Sequence, residues 1–209
     1  MCAYMLNDYL RKLYGRKLYK ISINAGFTCP NRDGKCGSGG CIFCSEGGSG
    51  EFAEGAQAGQ IGITALIERG KKQVAAKFHP EASGANYIAY FQAFTNTYAP
   101  VDKLRQIFEE AVSHPDIAIL SIATRPDCLG EEVAELLAEL NERKPVWVEL
   151  GLQTMHDRTA EWFNRGYRTE IYSDAVQRLN ARGIKVITHI ILGLPGETRE
   201  DMLATVRYV

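Results

Sequence analysis

Five apolar runs of strand length alternate with helical patterns along the chain, and this rhythm restricts the fold more than any other feature of the sequence. The runs are LYKISINA (18–25), YIAYFQAF (87–94), IAILSIA (117–123), VWVELGL (146–152) and KVITHIIL (185–192). Between them VDKLRQIFEEAVSH, EEVAELLAELNER and IYSDAVQRLNARG place apolar residues at three- and four-residue spacing, and Gly183 suits a helix C-cap. Repeated strand–helix units give a parallel sheet with right-handed crossovers, so the class is α/β, either an open doubly wound sheet or part of a (β/α) TIM-type barrel. The glycine-rich residues 45–60 read as an exposed loop before a helix around 64–78. The final EDMLATVRYV reads as an uncapped helix with no following strand. We therefore expect one domain over 1–209, with a basic extension over about 1–17 and a barrel incomplete at its C-terminal end.

In either architecture chemistry gathers where the strands end. The cysteines follow the first run, QAFTNTYAP the second, TRPDCLG the third, QTMHD the fourth and GLPGET the fifth. All of these would share one rim.

An apolar fraction of 45% with 23% charged residues excludes a mainly disordered chain. No apolar run reaches membrane-spanning length, and the first twenty residues lack the order of a secretory signal, so the expected location is cytoplasmic, with no membrane partner. Disulfides rarely persist there, which turns clustered cysteines toward metal or redox roles. A net charge of −1 gives no global attraction to nucleic acid. Locally, Arg11, Lys12, Arg16, Lys17 and Lys20 are interleaved with Tyr9, Tyr14 and Tyr19. That segment reads as a phosphate-and-base clamp or as an amphipathic helix whose tyrosines pack on the body.

FTCPNRDGKCGSGGCIFC (27–44) holds four of the six cysteines and almost nothing that forms a core. Cys29, Cys41 and Cys44 are separated by eleven and two residues, with Cys36 between. A structural zinc asks for four ligands, often in two close pairs, and only Cys41 and Cys44 make such a pair. Three thiolates instead hold three irons of a [4Fe-4S] cluster and leave the fourth iron open. Spacing alone leaves both readings standing.

The three-cysteine loop after the first strand, ending in Cys-Ile-Phe-Cys, resembles the radical S-adenosylmethionine (SAM) superfamily. The first gap is longer than that superfamily's usual three residues. With TCPNRDG, GGCIFC, FQAFTNTYAP, TRPD, ELGLQT and ILGLPGET, it resembles the YhcC/YtqA-like group, related to the Elongator catalytic subunit. The resemblance implies a partial (β/α) barrel with the cluster on Cys29, Cys41 and Cys44. It implies SAM held by Thr95, Asn96, Ser121, Thr124, Arg125, Glu149 and Gln153, with Gly193, Leu194 and Pro195 along the adenine. The glutamate that meets the methionine amine in many members is absent from QAFTNT, so Thr95, Asn96 or backbone carbonyls would take it. Arg125 is the natural bidentate partner for a carboxylate.

The implied activity is reductive cleavage of SAM to a 5'-deoxyadenosyl radical, with an electron donor of flavodoxin or ferredoxin type. The likeness to the Elongator subunit favours RNA, a transfer-RNA wobble uridine, as substrate. A small-metabolite substrate and a non-catalytic zinc-binding interaction module are the alternatives. His189 is read as a lumen-facing group that meets substrate or relays a proton, or as a hydrogen-bonded core histidine, and Cys128 as a hydrogen donor or an inert thiol. Oligomeric state is not legible in the sequence.

Overall fold

The computed structural model describes residues 4–48, 54–55, 61–74 and 85–209. Helix α1 (Leu6–Tyr14) precedes strand β1 (Tyr19–Asn24), which is followed by a two-residue strand β2 (Glu54–Gly55) and helix α2 (Ile63–Val74). The strand–helix units then run β3 (Tyr87–Phe91), α3 (Val101–Ser113), β4 (Ile117–Thr124), α4 (Glu131–Arg143) and β5 (Val146–Gln153). Helices α5 (Asp157–Trp162) and α6 (Thr169–Asn180), strand β6 (Lys185–Ile190) and helix α7 (Arg199–Tyr208) complete the described elements. Most of the expected glycine-rich loop and the end of the helix expected to reach residue 78 lie outside the described residues.

The strand order is β2-β1-β3-β4-β5-β6, parallel at every pairing. The five expected strands are all present, and the α/β class with a partial barrel stands. β2 had no apolar run to announce it.

Period two sorts each strand into two faces. Ile21 and Ile23, Ala89 and Phe91, Leu120 and Ile122, and Val148, Leu150 and Leu152 join one continuous core with residues of α2, α3, α4 and α6. The opposite face looks into the barrel lumen. Its lowest layer is apolar: Leu18, Ile88, Ile119 and Trp147 close on Leu10 of α1, with Tyr9, Tyr14 and Ile187 packed around them. Tyr9 lies 6.2 Å from the Trp147 ring and hydrogen-bonds Lys185. The N-terminal segment is therefore a plug at the strands' N-terminal ends, opposite the cysteines. Its tyrosines 9 and 14 are spent on packing, which corrects the clamp reading.

Candidate cluster and cofactor site

The cysteine loop is built by local hydrogen bonds. Cys29 carbonyl accepts from the amides of Arg32 and Asp33 at 2.9 and 3.2 Å, and Cys41 carbonyl from Cys44 at 2.9 Å. The Arg32 guanidinium donates to the carbonyls of Cys44, Ser45 and Glu46, folding the loop's end back on its start. Gly40 is required twice over: its φ is +82°, and a Cβ there would stand 2.8 Å from Arg32 Nε. Asn31 pins the loop to the body. Its Nδ2 donates to the Asn164 carbonyl at 2.6 Å and lies 3.6 Å from Cys41 Sγ, while Asn164 Nδ2 donates to the Gly40 carbonyl at 3.0 Å.

Cys29, Cys41 and Cys44 line one cavity together with Thr95, Thr124 and Arg125. The shared hydrogen bond between the Cys41 and Cys44 thiols raises Cys41 and, with help from Arg32 and Arg125, brings Cys44 down to about 6. Cys36 is exposed and faces a separate depression with Cys128, Thr97 and Tyr98. Burial, reinforced by Asp127, pushes the Cys128 thiol up to about 12.

The other expected residues divide. Thr95 is 1% exposed, its Oγ1 without a partner, and it lines the cavity, as do Thr124, Arg125, Glu149 and Gln153. Arg125 is not free for a bidentate carboxylate. Its Nε and Nη2 are taken by Asp127 at 2.9 and 2.7 Å, and Nη1 by the Arg165 carbonyl at 2.9 Å. Glu149 is likewise engaged, by Lys20 at 2.6 Å, Ser121 at 2.5 Å and His189 at 2.8 Å, so its carboxylate is not free to hold SAM. Ser121 lies behind it as that donor. Asn96 sits off the cavity wall and ties the ends of β3 and β4 through Nδ2 to the carbonyls of Ala93 and Ala123 at 3.1 and 2.9 Å. Gly193, Leu194 and Pro195 are also away from that wall; Leu194 packs on Ala160 and Phe163 beside Cys41.

Two residues of the site had no sequence signal. Tyr167 lines the cavity with its ring between the guanidinium groups of Arg125 and Arg165, 4.8 and 4.7 Å from its centroid. Burial raises its phenol despite both arginines. Arg165, 1% exposed, donates to the carbonyls of Leu152, Thr154 and Tyr167 and to Asp157 and Thr169. Nothing in FNRGYR sets these residues apart. Asn31 stands two positions after Cys29, so the motif itself pointed near it.

The rim's backbone is turned by left-handed residues that are not glycine: Ala93 (φ 66°), Phe94 (φ 61°) and Gln153 (φ 62°). Such conformations persist only where surrounding structure holds them, and they collect at functional sites.

A parallel partial barrel with three thiols converging at the C-terminal ends of its strands defines a class. Residues 27–209 match the model of the radical SAM superfamily, and the chain belongs to that family. It is 48% identical over 204 residues to YtqA of Bacillus subtilis (strain 168), covering 98% of this chain and 61% of that protein. It is 28% identical to the tRNA uridine(34) acetyltransferase of Methanocaldococcus jannaschii, over 91% of this chain and 40% of that one. In fold it is similar to the archaeal Methanocaldococcus infernus Elp3, with a TM-score of 0.62, 16% identity, and coverage of 92% of this chain and 42% of the other. The chain thus spans less than two thirds of the length of these curated relatives. Among the described residues no helix is long and apolar enough to cross a membrane.

The family's cofactors are a [4Fe-4S] cluster and SAM. The residues present fit them: three thiols line one cavity, and the buried Thr95 Oγ1 beside them has no partner among the described residues.

Proposed function

We propose that this chain is the catalytic core of a radical SAM enzyme acting on a transfer-RNA uridine. When bound, the cluster and SAM supply a 5'-deoxyadenosyl radical through one-electron reductive cleavage of SAM. Cys29, Cys41 and Cys44 hold the cluster. Cys44, lowered by its hydrogen bond with Cys41 and by Arg32 and Arg125, is the more acidic of the two thiols, which favours the thiolate that coordination needs. Thr95, whose buried Oγ1 has no partner among the described residues, accepts from the SAM amine. Arg125 lines the cavity, and the N–H groups that Asp127 and the Arg165 carbonyl leave over serve the SAM carboxylate. Thr124 and Gln153 serve the ribose from the same wall. Leu194, packed on Phe163 and Ala160 beside Cys41, and Asn96 and Ser121 support that wall from behind.

The observation that carries this reading is the convergence of three of the loop's four cysteines on one cavity while Cys36 turns away. The RNA substrate rests on likeness to a relative named for transfer-RNA uridine. An electron donor of flavodoxin or ferredoxin type completes the cycle.

The test is anaerobic reconstitution, dithionite reduction with SAM, and measurement of 5'-deoxyadenosine with and without transfer RNA. We expect a brown protein whose cleavage is stimulated by transfer RNA, abolished in Cys29→Ala and retained in Cys36→Ala. A colourless zinc protein without cleavage overturns the enzyme reading. Cleavage indifferent to transfer RNA overturns the substrate.

A further inference from the structure

In barrels of this type the inward layers are dominated by bulky branched side chains. The layer directly above the Trp147 plug departs from that. Lys20 of β1, Tyr90 of β3, Ser121 of β4, Glu149 of β5 and His189 of β6 all face the lumen, and all are polar. Glu149 is their hub. Its Oε1 accepts from Lys20 Nζ at 2.6 Å and Ser121 Oγ at 2.5 Å, and its Oε2 lies 2.8 Å from His189 Nε2. The Glu149 side chain is only 2% exposed, whereas Lys20 is 31% and His189 47% exposed. The carboxylate is therefore hidden, and its two partners are what the lumen presents.

Burial alone would raise Glu149, but His189, Lys20 and Ser121 outweigh it and hold the carboxyl down at about 2. An ionised carboxylate only accepts hydrogen bonds, so the shared hydrogen sits on Nε2 of His189. The other ring nitrogen, Nδ1, has no partner among the described residues, and in the tautomer that carries its hydrogen on Nε2 it is an acceptor. Lys20 has one N–H on Glu149 and lies 4.0 Å over the Tyr90 ring, which leaves it a donor for an outside oxygen.

We propose that Lys20 and His189, yoked by Glu149, read the substrate by a planar edge carrying a carbonyl oxygen beside an N–H, the imide edge of a uracil ring. Lys20 donates to the carbonyl, and His189 Nδ1 accepts from the ring N–H. Cytosine presents the opposite pattern on that edge, an amine beside an unprotonated nitrogen, and is refused. The inference rests on the uridine reading above and goes beyond it by assigning the residues that select the base. His189 touches substrate; Glu149 acts through it as a positioning residue.

The experiment is equilibrium binding of uridine, 3-methyluridine and cytidine to the reconstituted chain with SAM present. We expect uridine to bind about tenfold tighter than either analogue, the scale of one good base-edge contact pair. Because 3-methyluridine lacks the N–H, His189→Ala weakens uridine binding and leaves 3-methyluridine unchanged, whereas Lys20→Met weakens both. Equal affinity of the wild type for the three nucleosides overturns the proposal, as does equal loss of uridine and 3-methyluridine binding in His189→Ala. Selective uridine binding without stimulation of cleavage by transfer RNA upholds it and overturns the transfer-RNA substrate. Stimulation without selectivity does the reverse.

Discussion

Asn31 points its side-chain amide at a proposed cluster ligand: Nδ2 stands 3.6 Å from Cys41 Sγ while the same nitrogen is anchored on the Asn164 carbonyl. N–H donors to a ligating sulfur stabilise the more negative, reduced state of an iron–sulfur centre. Replacing Asn31 by Leu should therefore move the midpoint potential of the reconstituted cluster to a more negative value. A redox titration followed by visible absorbance reads this directly, and a potential equal to the wild type's would remove Asn31 from the tuning of the site.

Arg165 is the most heavily committed side chain in the structure, with three backbone carbonyls and two side chains on one buried guanidinium. Replacing it by Met keeps the volume of the stem but strips the Leu152, Thr154 and Tyr167 carbonyls of their donor, while Asp157 keeps only its two hydrogen bonds from Thr169. The expected loss is about 3–5 kcal/mol. Urea denaturation should show this as a lowered midpoint; a loss under about 1 kcal/mol would mean water replaces the guanidinium without strain.

The acid limb of stability has a named contributor. Glu149 titrates at about 2 in the folded protein, below the ordinary glutamate value, so the unfolded chain binds more protons than the folded one as pH falls. Its contribution, roughly 3 kcal/mol, is fully present above about pH 4.3 and is lost progressively toward pH 2. Unfolding free energy measured between pH 5 and 3 should fall more steeply in the wild type than in Glu149→Gln. Parallel slopes would show that the carboxylate is not stabilised by its neighbours.

Gly70 lets α2 lie against β1. A Cβ on it would come within 2.2 Å of Ile21 Cγ2. Gly70→Ala gains helix propensity of about 1 kcal/mol and meets an overpacking penalty of roughly 1–3 kcal/mol, so a net loss of stability is expected. The loss should shrink in an Ile21→Ala background. Thermal melts of the four proteins test that coupling, and simple additivity would refute the clash.

Much of the architecture was legible because parallel strands buried on the helix side announce themselves as apolar runs, and all five long strands were found where those runs lie. The cysteine loop was equally legible, since thiols set among glycines have no core to serve. What failed was direction. Arg125 looked like a free fork because nothing in TRPD says that Asp127, two residues on, turns back to fill it. Glu149 looked available because its partners come from β1, β4 and β6, far away in sequence. For the basic, tyrosine-bearing N-terminus the sequence offered an RNA clamp or an amphipathic helix with packed tyrosines, and Trp147 and Ile119, distant in sequence, decide for the helix. Period-two patterning tells which residues share a face, but which face becomes the lumen depends on where α1 docks.

The strands are laid down almost in the order in which they are synthesised, so each unit after β1 finds its neighbour already made. The cysteine loop is the exception. Its pin joins Asn31 to the Asn164 carbonyl across 133 residues of chain, and Gly40 to Asn164 across 124. On the ribosome, at roughly 5–20 residues per second, that interval lasts several seconds or more. For that time the loop is held to the body only by earlier contacts such as the Thr95 amide on the Thr28 carbonyl, so cluster delivery has to follow the emergence of Asn164, beyond α5, or risk oxidised thiols and the wrong metal.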